Sequence, residues 1–437
     1  MPENVEKNPL RVLFLNDLSD PRIGSSIRQM YQQGARLREL GHETALATAV
    51  EDASQAGETE IEGMRVFRVH SDYPVRFRGY VSLANARVRK PFREILGSFR
   101  PDVVHAHLLH THLSYASLRA ARESGAGVVF TAHDVMTFCY QKLTCFHGGV
   151  EHQGSLRDYA AYWQKCIPCQ RLRWNPWRNA AIRRVLARDV DRFVAVSDEL
   201  ARAIRENGIE VHRTIHNAVR GQRAMPSAAA VAAFRARFGL AGKQVLTIAG
   251  RLHEQKGVRQ LLAVLARLAP EHPDLRLLAM GRTETWEQEF AGSARALGVA
   301  ERVVTTGWLE GEELQAAYAA TDVFATPSIC FDTFGLVNLE AMEHRKPVVA
   351  TAFGGSREVV RAGVTGFVEN PFDVEAFAGR VAELLRDEGL RRRLGEAGYL
   401  RLVQGFTIER LADEYLEEYE RARSGQSALH PGAAGSR

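Results

Sequence analysis

Two carboxylates, Asp332 and Glu340, stand eight residues apart around Gly335 in the segment PSICFDTFGLVNLEAMEHRKPVVATAFGGSREVV, Pro327 to Val360. Carboxylates accept hydrogen bonds from hydroxyl groups, so this pair can hold two sets of hydroxyls on one extended ligand. The pattern predicts a helix that starts near Phe334. Its first amides, those of Gly335, Leu336 and Val337, then lack partners inside the helix and form an anion site at the positive end of the dipole, suited to a diphosphate. Asp332 falls just before that helix and Glu340 about a turn and a half into it.

Cations suited to the same ligand lie upstream. Gly250-Arg251 directly follows an apolar run, and Lys256-Gly257 precedes the next helical pattern. At the carboxyl edge of a sheet, Arg251 and Lys256 can neutralise a departing diphosphate. The alternative is a solvated loop with ordinary surface charges, and it weakens because both motifs fall at equivalent strand ends. His133-Asp134 follows the run Val128–Ala132, so the imidazole is expected at the edge of a cleft. His105 and His107, in DVVHAHLLH, also end a strand and read as interior packing histidines.

Cys139, Cys145, Cys166 and Cys169 share one stretch after His133, while Cys330 stands apart. The pair CIPC has the two-residue gap that lets both thiolates bind one tetrahedral metal; the gap between Cys139 and Cys145 is longer than usual. In a reducing compartment the four read as structural zinc, with disulfide or redox pairing and unlinked thiols as the alternatives. The stretch Val75 to Leu96 mixes Arg and Lys with Phe77, Tyr80 and Phe92. It suits an anionic membrane surface or a phosphorylated acceptor, or else is a solvated helix face.

Which elements would position these groups? At 437 residues the chain is too long for a single core. Apolar runs at Val12–Leu15, 45–50, 66–69, 103–105, 128–132 and 193–197 alternate with helical patterns, as repeated βαβ units require. The alternation restarts at 245–250 and continues at 275–280, 303–306, 323–326 and 347–350. We therefore expect an α/β protein with two doubly wound, parallel-sheet domains facing across a cleft. Residues 1–219 form the first, acceptor-side domain, with a Cys-rich insertion at about 135–180, and 220–407 the second, ligand-binding domain. A helix at 408–424 is expected to cross back to the first domain, ahead of a disordered tail at 425–437. The formal charge of +5 is too small for a dedicated nucleic-acid binder. No apolar run is long enough to span a bilayer and the first residues are polar, so a cytoplasmic location, with peripheral membrane contact, is expected.

Taken together, GRLHEQKG, TDVFATPSICFDTFGLVNLEAM, KPVVAT, FGGSREVV and GVTGFVENPFD resemble the nucleotide-binding half of family 4 glycosyltransferases, retaining enzymes of the GT-B fold. The resemblance runs nearly unbroken from Val245 to Asp373 and implies roles. Glu340 would bond the nucleotide ribose, Arg251 and Lys256 would meet the diphosphate, and the first carboxylate would meet hydroxyls of the donor sugar. The family usually has Glu in that first place; Asp332 is one methylene shorter. In the looser N-terminal half, Gly24 falls where the family has a glycine-bearing loop near the donor phosphates and the acceptor, or else in an ordinary βα turn, and His133 resembles a histidine that lies near the reacting sugar. Asn217 resembles part of a hinge and is read as structural. Some members carry spaced cysteines after the same His-Asp pair.

The resemblance implies transfer of a sugar from a UDP-, GDP- or dTDP-sugar to a hydroxyl acceptor that is a saccharide, lipid-linked or small. Retention without an evident nucleophile points to front-face displacement, in which the leaving diphosphate takes the acceptor's proton. His133 then positions donor groups, and catalysis requires no cofactor. The competing readings are a sugar-nucleotide epimerase or phosphorylase of the same fold, and a non-catalytic sugar-nucleotide-binding scaffold.

Overall fold

The computed structural model describes residues 9–221 and 225–425. The expected tail beyond residue 425 and a short piece of the expected domain junction, 222–224, lie outside the described residues.

Eight strands form the first sheet: β1 (Arg11–Leu15), β2 (Glu43–Val50), β3 (Gly57–Ile61), β4 (Met64–His70), β5 (Val103–Ala106), β6 (Gly127–Ala132), β7 (Arg192–Ala195) and β8 (Arg213–Thr214). Their spatial order is β3-β4-β2-β1-β5-β6-β7-β8. Six more form the second: β9 (Gln244–Ala249), β10 (Leu275–Met280), β11 (Val303–Thr305), β12 (Val323–Thr326), β13 (Val348–Thr351) and β14 (Gly366–Glu369), in the order β11-β10-β9-β12-β13-β14. Every pairing is parallel except β3 against β4. Helices cover both faces, so the central strands are apolar throughout; Val12, Leu13, Phe14 and Leu15 are all fully buried. β3 reads GETEI and runs along the edge mostly exposed, so it carries no such signal. In each sheet the strand order reverses once, between β1 and β5 and between β9 and β12. Ligands of open α/β sheets bind at these switch points.

The helix Ile408–Arg423 packs on the first sheet, burying Leu411, Tyr415 and Tyr419. Tyr415 and Tyr419 reach inward to Thr131 and His105, at 2.9 and 2.8 Å. Arg192 pairs with the fully buried Glu418 at 2.6 Å, and Arg213 and Arg421 reach the other oxygen of that carboxylate at 3.2 and 2.6 Å, so its buried charge is shared among three arginines. Where the chain crosses between the domains, Val219 donates its N–H to the carbonyl of Phe406 at 3.0 Å, so the outward and return crossings run side by side. The segment read as lacking strands, 220–242, contains the helix Ala228–Arg237, which packs on the helix Gly311–Ala320 of the second half.

The cysteine-bearing insertion leaves the first sheet after β6 and lies across the second domain. His147 bonds the carbonyl of Ile329 at 2.7 Å, Phe331 N donates to Leu143 O at 3.2 Å, and Phe146 packs edge-on against Phe331 and Phe353. No helix among the described residues is long and apolar enough to cross a membrane.

Candidate active site

The loops that follow β9 and β12 meet at the second sheet's switch point. Ile329 N donates to Gln255 O at 2.9 Å, joining them. Gly257 permits that approach: its φ is +74°, and a Cβ there would come within 1.8 Å of the carbonyl oxygen of Pro327. Asp332 is held from the other side, where its carbonyl accepts from Gly355 N at 2.7 Å and Gly354 (φ +75°) leaves no room for a side chain. The FGGS motif thus packs its backbone directly against the carboxylate-bearing loop.

This junction forms one wall of a cleft of about 940 Å³. From the second domain come Arg251, Lys256, Asp332, Gly335, Leu336, Val337 and Glu340; from the first come Gly24, Arg28, His133 and Lys142. The residues singled out in the sequence as donor-binding therefore line a single cavity.

The helix begins at Leu336, two residues later than its sequence suggests, because Gly335 adopts a left-handed conformation (φ 80°) and acts as N-cap. Phe334 precedes the cap with its ring buried against His216 and Phe406, so it contributes backbone to the cleft wall and apolar packing behind it. The leading amides of a helix have no intrahelical partner, and Gly335, Leu336 and Val337, which carry them here, line the cleft.

Each carboxylate is already oriented. Glu340 accepts from the Tyr318 hydroxyl at 2.6 Å and pairs with Arg28, from the other domain, at 3.3 Å. Burial, reinforced by Glu340, holds the Tyr318 phenol far above its usual pKa, so it keeps its proton and donates it to Glu340. Asp332 presents Oδ2 to Lys256 at 3.8 Å and to Ser328 at 3.4 Å. Its charge raises the Lys256 pKa. Lys256 is thus an ion-pair partner as well as a cation facing the cleft, whereas Arg251 is exposed and makes no ion pair among the described residues.

His133 lies buried at the end of β6. Burial lowers its pKa to about 4, leaving a neutral ring. His107 reaches His133 Nε2 with Nδ1 at 2.8 Å and stacks against it at 5.0 Å, and His105 lies against His107 at 4.1 Å with its ring tilted by 36°. His105 and His107 are interior, as read from the sequence, but His107 also orients His133, with His105 packed behind it. The His133 carbonyl accepts from Thr333 Oγ1 at 2.9 Å, tying this loop to the second domain. Gly24 caps the helix Ser25–Glu39 in an extended conformation, and a Cβ there would meet only Ile27, at 3.8 Å. Among the described residues no neighbour demands glycine at 24. Asn217 accepts from Gln29 at 2.9 Å beside the interdomain crossing.

Four participants escaped the sequence reading: Arg28, Tyr318, His107 in its orienting role, and Lys142. Lys142 comes from the insertion and donates to His253 Nε2 at 2.7 Å; burial lowers the His253 pKa to about 4 and keeps that ring an acceptor. Partial burial lowers the Lys142 pKa, and the charges of Lys256 and Arg251 beside it lower it further. A third cation thus joins the expected two.

All five cysteines are free thiols. Cys139, Cys145, Cys166 and Cys169 are close enough for their charges to act on one another, and burial pushes the Cys166 thiol up to about 11. Among the described residues one trio, Asp198, His216 and Glu358, brings its ligand atoms within 4.8 Å of one another; the four thiols are neighbours at longer range.

Two parallel-sheet domains with a cleft between facing switch points, walled by a helix N-terminus, cations and hydroxyl-accepting carboxylates, define a GT-B glycosyltransferase architecture. Residues 28–223 match the family model "Glycosyltransferase Family 4" and residues 232–401 match "Glycosyl transferases group 1"; the chain belongs to this family of glycosyltransferases. It is 37% identical over 179 residues to the GDP-mannose-dependent alpha-(1-6)-phosphatidylinositol monomannoside mannosyltransferase of Mycolicibacterium smegmatis, covering 40% of this chain and 47% of that protein. It is 28% identical over 411 residues to the sulfoquinovosyl transferase SQD2 of Arabidopsis thaliana, covering 91% of this chain and 70% of that one. The chain thus spans about half the length of some curated relatives and more of others. Among solved structures, sucrose-phosphate synthase from Thermosynechococcus elongatus superposes with a TM-score of 0.73 at 20% identity, covering 95% of this chain and 100% of that one. HepE from Anabaena, in complex with UDP-glucose, gives 0.70 at 19% identity, covering 94% and 99%.

Proposed function

We propose that this chain transfers a sugar from a nucleoside-diphosphate donor to a hydroxyl acceptor with retention at the anomeric carbon. One observation carries the reading: the loops after β9 and β12 bring Arg251 and Lys256 into the same cleft as the amides of Gly335, Leu336 and Val337. The diphosphate lies on those amides, with the two cations on its oxygens. Glu340, its position fixed by Tyr318 and Arg28, accepts from the ribose. Asp332 gives Oδ2 to Lys256 and Ser328 and turns Oδ1 to a sugar hydroxyl. A GDP-mannose-dependent relative supports a sugar nucleotide as donor.

In the transfer step the acceptor oxygen attacks the anomeric carbon from the side on which the carbon–phosphate oxygen bond breaks. The departing diphosphate takes the acceptor's proton. Neutral His133 contributes hydrogen bonding and position, since a ring that holds its pKa near 4 is a poor base for a sugar hydroxyl. The test is to incubate the purified chain with UDP-, GDP- and dTDP-sugars and candidate acceptors. We expect nucleoside diphosphate release that depends on acceptor, and a product of unchanged anomeric configuration. An inverted product, or donor binding with no transfer to any acceptor, would count against it.

We also infer a structural zinc on Cys139, Cys145, Cys166 and Cys169. Cys166 and Cys169 are one turn apart on the helix Trp163–Gln170, and Cys139 and Cys145 bracket the loop beside it. The thiols are farther apart than a bound ion would hold them, so metal would draw that loop onto the helix. Metal analysis of the chain purified without chelator should give about one zinc per chain; its absence, or full retention of metal by a Cys166→Ser variant, contradicts the assignment.

A further inference from the structure

One surface of the first domain combines exposed apolar side chains with unpaired arginines. It is assembled from two segments distant in sequence: the turn Val75–Phe77 with the short helix Arg78–Val81, and the insertion's helix Trp163–Gln170 with the turn Arg171–Arg173. Asn175 locks them together. Its Nδ2 donates to Gly79 O at 3.0 Å, and its backbone exchanges hydrogen bonds with the Tyr140 hydroxyl at 2.7 and 3.0 Å. Arg78 donates to Tyr140 O at 2.6 Å from the other side. Gly79 faces the Arg173 carbonyl, which a Cβ there would meet at van der Waals distance, 3.4 Å.

Large apolar side chains point outward from this surface: Val75, Phe77, Tyr80, Trp163, Leu172 and Trp177. Leu172 is fully exposed and Trp177 is 75% exposed. Exposed apolar side chains gathered on two interlocked segments mark a contact surface, unlike scattered exposed leucines. Arg76, Arg171 and Arg173 stand exposed among them and make no ion pair within the described residues. The charge is segregated: residues 73–93 and 162–188 hold 13 Lys and Arg and no Asp or Glu, whereas the remaining 44 Lys and Arg are outnumbered by 52 Asp and Glu.

We infer that this surface docks on an anionic lipid bilayer. Tryptophan and tyrosine gain from the polar–apolar boundary of a membrane, leucine and valine from the acyl region beneath it, and the arginines from acidic headgroups. A nucleic acid would satisfy the arginines but leave Leu172 and Val75 in water. Docking also suits the cleft, because Tyr140 at the patch is followed directly by Gln141 and Lys142 on the cleft wall. A headgroup-borne hydroxyl would thus enter beside Lys142 and His133.

The full chain is floated with vesicles of phosphatidylcholine alone and of phosphatidylcholine mixed with phosphatidylglycerol. We expect association with the mixed vesicles, at least about tenfold weaker on neutral ones and weakened by added salt. The double variant Leu172→Ser/Trp177→Ser and the charge reversal Arg171→Glu/Arg173→Glu should each lose at least about tenfold in partitioning, with unchanged thermal unfolding because these side chains are exposed. Leu297→Ser, an exposed leucine of the second domain, should bind as the parent chain does. No association with anionic vesicles, equal binding by both patch variants, or a patch that instead mediates self-association overturns the inference. No turnover is read, so this failure leaves the transferase reading intact.

Discussion

Arg28, on the first domain's leading helix, reaches across the cleft to Glu340 at 3.3 Å, while Tyr318 holds the other oxygen of that carboxylate at 2.6 Å. The group assigned to the ribose is therefore supported from both domains. Glu340→Ala should raise the dissociation constant for nucleoside diphosphate by about ten- to a hundredfold, since a hydrogen bond to a charged group is worth about 1.5–3 kcal/mol. Tyr318→Phe should cost several-fold. Arg28→Ala should change stability by less than about 1 kcal/mol, because the pair is partly exposed. Calorimetric titration with UDP, GDP and dTDP reads the first two; wild-type affinity in Glu340→Ala would remove the ribose contact.

The Lys256–Asp332 pair at 3.8 Å yields a second expectation. Asp332 lies buried beside the lysine, so Lys256→Ala leaves an unpaired carboxylate and should cost about 1–3 kcal/mol of stability as well as turnover. Arg251, exposed and without an ion pair, should behave differently: Arg251→Ala should cut turnover by about a hundredfold while leaving the unfolding curve in place. Comparing kcat with urea midpoints for the two variants separates the roles. Equal losses of stability would mean that Arg251 is a folding residue.

Much of this architecture was legible in the chain itself. Strands sealed under helices on both faces must be apolar along their length, so β1, β6, β9 and β12 announced themselves, and with them the loops bearing Arg251 and Asp332. β3 did not, because an edge strand with Glu58 and Glu60 has no need of apolar residues. The helix start was displaced by two residues because Gly335 could equally have been a first-turn residue; only its positive φ makes it the cap. Arg28 and Tyr318 could not be found locally. Their relation to Glu340 spans 312 and 22 positions and arises from domain closure and sheet packing. Lys142 was hidden for the same reason, since an insertion's composition does not reveal which residue it carries into a cleft.

Lys142 tests whether the insertion takes part in donor binding. Its amine touches His253 at 2.7 Å, beside Arg251 and Lys256, and all three cations line the cleft. Lys142→Ala should raise KM for the sugar nucleotide by about three- to tenfold with a smaller change in kcat, as expected for uniform binding to a diphosphate. Lys142→Arg should recover most of the loss. An unchanged KM would restrict the insertion to packing.

Stability should fall steeply in mild acid because of the stacked histidines. His133 has its pKa lowered to about 4 by burial, and burial takes His105 and His107 well below the usual value of 6.5. Between the unfolded pKa near 6.5 and the folded one, the unfolded chain binds protons that the folded chain excludes, so stability drops as pH falls through that window. For His133 alone the shift amounts to roughly 3 kcal/mol when complete. Urea unfolding should therefore show little change from pH 8 to about 7 and a progressive loss from about 6.5 toward 4. The variant His133→Asn removes one of the titrating groups and should flatten that slope, even though it is less stable at neutral pH. A variant curve parallel to that of the parent chain would assign the acid sensitivity to other groups.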